Sequence, residues 1–94
     1  MIDKRIVLDD RKNKANQAKH GIGFVDASDI FFDPLALTVD DADHSWHEFR
    51  FIAIGKTKSQ KLVVVFFAET DQEIRIISAR RPTRTERLNY EEER

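Results

Sequence analysis

The stretch EIRIISARRPTRTERLNY, residues 73–90, ends a run of β-branched residues and then presents Arg80, Arg81, Arg84 and Arg87. Guanidinium is well shaped to receive phosphate, because its planar fork meets two oxygens at once. Cutting RNA without a metal needs a base for the 2′-hydroxyl, positive charge for the phosphorane, and an acid for the departing 5′-oxygen. Arg80 and Arg81 stand where a strand ends, rigidly held yet open to solvent, and suit the second of these roles. Arg84 and Arg87 share one face of the helix expected to follow, near its N-terminus, where the dipole also favours an anion. Tyr90 falls one turn beyond Arg87. A phenol beside cations can carry a proton or stack on a nucleobase. The alternative for the cluster is a solvated surface with pairs such as Arg87–Glu91, and for Tyr90 a buried anchor.

A second constellation is HSWHE, residues 44–48. Two histidines three apart beside a carboxylate have zinc-like spacing. No helix is expected to align them, however, and no third ligand is evident, so no metal and no cofactor are assigned. His44, in a loop near the basic strand end, is a candidate acid or base at neutral pH, or else it orders that loop. Trp46 marks a partner surface if exposed and otherwise packs on a sheet edge. His20 beside Gly21 suits a helix C-terminus, and the Gly-x-Gly of 21–23 is too short for a phosphate loop.

These side chains need a scaffold, and 94 residues allow one small domain spanning 1–94. An apolar share of 40% with seven Phe supports a folded globule despite 35% charged residues. Cysteine is absent, which excludes disulfides and a thiol nucleophile. No segment reaches the ~18–20 apolar residues of a membrane span and no signal peptide is visible, so a cytoplasmic protein is expected. Net charge is −1, yet the charges are segregated: residues 20–49 hold seven acids and no Lys or Arg, whereas 74–87 hold five Arg against Glu86. Local potential, rather than the total, then governs what such a chain meets.

The elements follow from periodicity. Arg5–Leu8 is a short strand, and Asp9 or Asp10 caps a polar helix with Ala15, Ala18 and the Lys19 stem inward, ended by Gly21. Val25, Ala27, Ile30 and Phe31 form a second helical stripe, stopped by Pro34. Strands are expected at Leu35–Val39 and at Phe49–Ile54, the latter ending at Gly55. LVVVFFA, residues 62–68, is apolar on both faces, as in a central strand. In the following strand Ile74, Ile76 and Ser78 alternate with Glu73, Arg75, Ile77 and Ala79. Thr83 and Glu86 have capping-box spacing and open a last helix. The predicted fold class is α+β: an antiparallel sheet of three to four strands with two N-terminal helices and a C-terminal helix.

Together, NQAKHGIGFVDASDIFFDPLAL, DHSWHEFRFIAIGKT and IRIISARRPTRTERLNYEEE resemble the BrnT family of type II toxin–antitoxin toxins over roughly residues 9–93. The resemblance implies a RelE-like microbial ribonuclease fold and an RNase that arrests translation. It also implies a BrnA-type antitoxin that wraps the toxin and blocks its RNA site, in a hetero-oligomer that binds operator DNA. The RIISAR motif falls on Arg75 to Arg80 and is followed by basic Arg81. The E-R-x-x-Y motif falls on Glu86, Arg87 and Tyr90, and HS-x-x-E on His44, Ser45 and Glu48. This chain reads VLDD where the family often has an aromatic-Glu-Trp-Asp start, and Pro82 where a small residue is common.

The expected function is a metal-independent endoribonuclease. Arg80 would stabilise the transition-state phosphate with Arg81 beside it, Tyr90 or His44 would handle protons, and Lys56, Lys61, Arg75, Arg84 and Arg87 would hold the RNA. A binding module that uses the same basic strip without chemistry, on RNA or on an acidic partner, is the alternative.

Overall fold

The computed structural model of the protein describes residues 3–44 and 48–92. Strands β1 (Arg5–Val7), β2 (Leu37–Asp40), β3 (Arg50–Lys56), β4 (Leu62–Glu69) and β5 (Glu73–Arg80) form one sheet in the order β1-β5-β4-β3-β2. From β2 to β5 the pairs are antiparallel, as the meander pattern predicted. β1 instead lies parallel to β5, with Arg5 opposite Glu73. The expected antiparallel sheet of three to four strands is therefore corrected to a mixed sheet of five. A helix rather than a hairpin follows β1, so it reaches the sheet by a crossover and joins the free edge of β5.

Helix α1 (Asp10–His20) starts where Asp9 accepts the Lys12 N–H at 2.9 Å and stops at Gly21, whose φ of 72° only glycine adopts cheaply. Its predicted inner face is wrong. Ala15, Ala18 and Lys19 are exposed, and the residue turned inward is Asn16, only 5% exposed. The reason is a hydrogen-bonding need rather than an apolar one. Beyond β1, the outer edge of β5 has no strand beside it at Ala79 among the described residues. The Asn16 side chain stands in: Nδ2 donates to the Ala79 carbonyl at 2.8 Å and Oδ1 accepts the Ala79 N–H at 3.1 Å. Nδ2 also donates to the Ile22 carbonyl at 2.9 Å.

Helix α2 (Phe24–Ala27) runs into a 3-10 turn at Ser28–Phe32, and Phe24, Ala27 and Ile30 are fully buried. Val25, predicted inward, is exposed, because Phe24 takes the inward position in this tight segment. These residues pack on one face of the sheet with Ala53, Val63, Val65, Phe67, Ile74, Ile76 and Ala79. Phe67 centres an aromatic cluster, edge-on to Phe31 and stacked with Phe51. The double-faced reading of β4 holds, since Leu62 and Val64 are buried on its other face. Gly55 does not end β3; it lies buried within the strand, where an added Cβ would come 2.9 Å from Ile30 Cβ. The turn is made later, with Gln60 at φ 68°.

Helix α3 (Arg84–Glu92) covers part of the second face through Tyr90, which is packed with Ile54, Leu62 and Val64. The predicted capping box is present: Thr83 Oγ1 accepts the Glu86 N–H at 3.2 Å and Glu86 Oε1 accepts the Thr83 N–H at 2.8 Å.

Candidate functional site

Strict alternation along β5 would place Arg80 with Ile74 and Ile76, facing the helical layer. A bulge prevents this. Phe67 pairs with Ile76 but Phe66 pairs with Ser78, so Ile77 is an extra residue and the parity of the strand reverses. Ala79 consequently joins Ile74 and Ile76 in the core, correcting the predicted sides, and Arg80 emerges on the second face opposite Val64.

There Arg80 is braced on three sides. Nη1 and Nη2 donate end-on to the two Glu86 carboxylate oxygens at 2.8 and 2.9 Å, Nη1 also donates to the Arg81 carbonyl at 3.1 Å, and the guanidinium lies 5.3 Å from the Phe66 ring centroid. Of its five N–H bonds, two remain uncommitted among the described residues. The Arg80 guanidinium holds the Glu86 carboxyl at a pKa of about 2, helped by the Thr83 N–H. Glu86 in turn raises the pKa of Arg80.

The strand pairing sets Arg50 and Arg75 on the same second face, both opposite Ala68. Glu48 joins them. Arg75 Nη2 donates to both Glu48 oxygens at 2.8 and 2.7 Å, and Arg50 Nε donates to Oε1 at 3.0 Å. Hydrogen bonding by Arg75 lowers the Glu48 pKa, burial opposes it, and hydrogen bonding by Arg50 adds to the lowering. Lys56, paired with Leu62, ends the same face. It lines a cleft with Asp29, Asp33, Phe32, Lys58 and Tyr90. Arg84 and Arg87 are exposed on α3, while Glu86 and Tyr90 turn toward the sheet.

Three predicted residues are placed elsewhere: Arg81, Lys61 and Tyr90. Arg81 does not sit beside the Arg80 head; it lines a cavity with Lys61, Asp26 and Ile22 on the helical side of the sheet. Tyr90 is 1% exposed at the base of the Lys56 cleft and its hydroxyl donates to Asp33 Oδ2 at 2.7 Å, so it anchors α3. Asp33 Oδ2 also accepts the Lys56 N–H at 2.8 Å, tying β3 to the same point. Tyr90→Phe should therefore lower stability by about 1–2 kcal/mol in urea unfolding while leaving the cleavage kcat unchanged. A Tyr90 that carries protons would give the reverse result.

His44 closes a 3-10 turn, Ala42–His44, that leads to Glu48. Its side chain, with Ser45, Trp46 and His47, lies outside the described residues. Among the described residues no group of three His, Asp or Glu side chains could hold a metal, and no helix is long and apolar enough to cross a membrane. Sequence reasoning did not assign three residues their part in the site: Glu48 and Glu86, which hold the arginines, and Asp33, which holds Tyr90. The available signals were the capping box for Glu86 and, for Glu48, its place two residues before Arg50; nothing local marked Asp33.

The Glu86–Arg80 pair has a pH signature. The folded Glu86 pKa lies below its ordinary 4.5. Protonation therefore favours the unfolded chain, and the stabilisation is complete above pH 4.5 and lost as pH falls toward 2. The stability gap between wild type and Glu86→Gln should be full at pH 6 and close by pH 2, read from urea midpoints. A gap independent of pH would mean that the charge of Glu86 contributes nothing.

The sheet and this face first define a class: a small α+β protein that gathers braced guanidinium groups on one face of a mixed five-stranded sheet. Residues 8–86 match the model of BrnT, the ribonuclease toxin of type II toxin–antitoxin systems, and the chain belongs to that family. The structure is similar to the 1.1 Å crystal structure of the Brucella abortus ribonuclease toxin BrnT, with a TM-score of 0.65 and 26% identity over 86% of this chain and 99% of that one. Comparison with curated protein sequences gave no match.

Proposed function

We propose that the protein is a metal-independent endoribonuclease that inhibits translation, cutting RNA by attack of the adjacent 2′-hydroxyl to leave a 2′,3′-cyclic phosphate. The observation that carries this reading is Arg80: a guanidinium fixed by Glu86 and Phe66 at the end of β5, with donors to spare for phosphate. Preorganised charge of this kind stabilises a phosphorane without reorganising when the reaction occurs.

RNA would lie across the second face, its backbone held by Arg75, Lys56, Arg84 and Arg87, with Arg80 on the reacting phosphate. Glu48 is a poor base because two arginines hold its pKa down, so its role is to position Arg75. Proton transfer falls to His44. An antitoxin of the BrnA type would cover this face in the cytoplasm, and their complex would bind operator DNA.

One observation favours a non-catalytic RNA-binding module instead: Glu48 and Glu86, the carboxylates beside Arg75 and Arg80, are committed to arginines. The deciding experiment is RNA cleavage by purified protein in excess EDTA, with product ends analysed. Cleavage giving cyclic phosphate ends supports the enzyme. RNA bound but uncut, with and without ribosomes, would leave the binding module.

A further inference from the structure

Arg81 directly follows the last residue of β5, yet it serves the other side of the sheet from Arg80. It is exposed and lines a cavity of about 200 Å³ with Lys61, between the corner after α1 (Gly21, Ile22) and the turn between β3 and β4 (Thr57, Ser59). That turn is firmly built. Thr57 is buried, its hydroxyl hydrogen-bonds Ser59 Oγ at 3.0 Å and accepts the Lys61 N–H at 3.2 Å, and the backbone closes again from Thr57 N–H to the Lys61 carbonyl at 2.9 Å. Lys61 therefore leaves a fixed backbone rather than a loose loop. The cavity combines a guanidinium fork, an ammonium and hydroxyls, and Asp26 is the one carboxylate among its lining residues. This is the chemistry of a phosphate site with room for one phosphate group and its sugar edge.

We propose that the Arg81–Lys61 cavity is a second phosphate site, which takes the backbone phosphodiester of an RNA strand leaving the Arg80 face and rounding the end of β5. It rests on the RNA-cleaving reading above. It gives Arg81 a positioning role away from the reacting phosphate: the first guanidinium meets the scissile phosphate and the second meets one a nucleotide or two along. Substrates long enough to reach the cavity would gain affinity from it, and a dinucleotide would not.

The test compares a dinucleoside monophosphate with a dodecamer RNA in EDTA, using wild type and Arg81→Ala/Lys61→Ala. Both side chains are exposed, so the variant should melt as wild type does. The expected result is a dodecamer KM raised about tenfold with kcat unchanged and unaltered dinucleotide kinetics. The salt dependence should also become shallower, by about 0.7 in log–log slope for each phosphate that the variant no longer neutralises. An equal fall in kcat on both substrates would put Arg81 in the reaction and overturn the proposal, as would no change on either.

If wild type binds RNA without cutting it, fluorescence anisotropy with the dodecamer decides: weaker binding by the double variant supports the site, and equal binding overturns it. Binding of inorganic phosphate at Arg81 and Lys61, seen by NMR, with dodecamer affinity unaffected by the double variant, would assign the cavity to free phosphate and overturn the RNA reading of it. A wild type that neither binds nor cuts RNA would remove the ribonuclease reading, and this proposal with it.

Discussion

Arg80→Ala should leave a folded protein that cuts RNA about 10²–10³-fold more slowly in kcat, the effect of removing one preorganised donor group from a charged transition state. The substitution also strands Glu86, whose carboxylate is half-buried and loses its bidentate partner. A drop in stability would therefore accompany the drop in rate. Arg80→Ala/Glu86→Gln separates the two, because removing both charges restores stability but not cleavage. Arg80→Lys keeps a positive charge without the fork and should recover only a small part of the rate. Cleavage by Arg80→Ala at the wild-type rate would overturn the assignment. Full function in Arg80→Lys would point to simple charge and so to the binding module.

Asn16→Ala should be the most damaging substitution for stability, although nothing about Asn16 suggests catalysis. It leaves the Ala79 N–H and carbonyl without partners in a buried place, and the Ile22 carbonyl loses its donor as well. With about 1–3 kcal/mol for each stranded buried group, partly relieved by relaxation, a loss of about 3 kcal/mol is expected. For a chain of this size that lowers Tm by more than about 10 °C. Ala79 precedes Arg80, so slackening the strand end should also reduce cleavage beyond the unfolded fraction. A Tm within a degree or two of wild type would show that water replaces the Asn16 amide without cost.

The two effects share one location, the last turn of chain before α3, and sequence reached it unevenly. Local rules sufficed where the determining contacts are a few residues apart. Asp9 and Gly21 bound α1, Thr83 and Glu86 open α3, and the unbroken apolar run of β4 marks a strand covered on both faces. The basic character of the β5 end and the family motifs are equally local, and they nominated Arg80.

What sequence could not settle was which way the side chains face. The extra residue at Ile77 reverses the parity of β5, and a bulge is decided by the fit of β5 against β4, not by β5 alone. That one residue sends Arg80 to the second face and frees Arg81 for the helical side, dividing a cluster that looked single. Asn16 drew no notice in a polar helix, and its role appears only because the short β1 ends before Ala79. For Tyr90 sequence left a proton carrier and a buried anchor open, and the partner of its hydroxyl, Asp33, lies far away in the chain. Periodicity and capping residues thus placed most of the elements, the motifs carried the family resemblance, and the spacing of the arginines nominated Arg80. Tertiary structure decided register, burial and partners, because these depend on groups distant in sequence that meet only once the sheet is assembled.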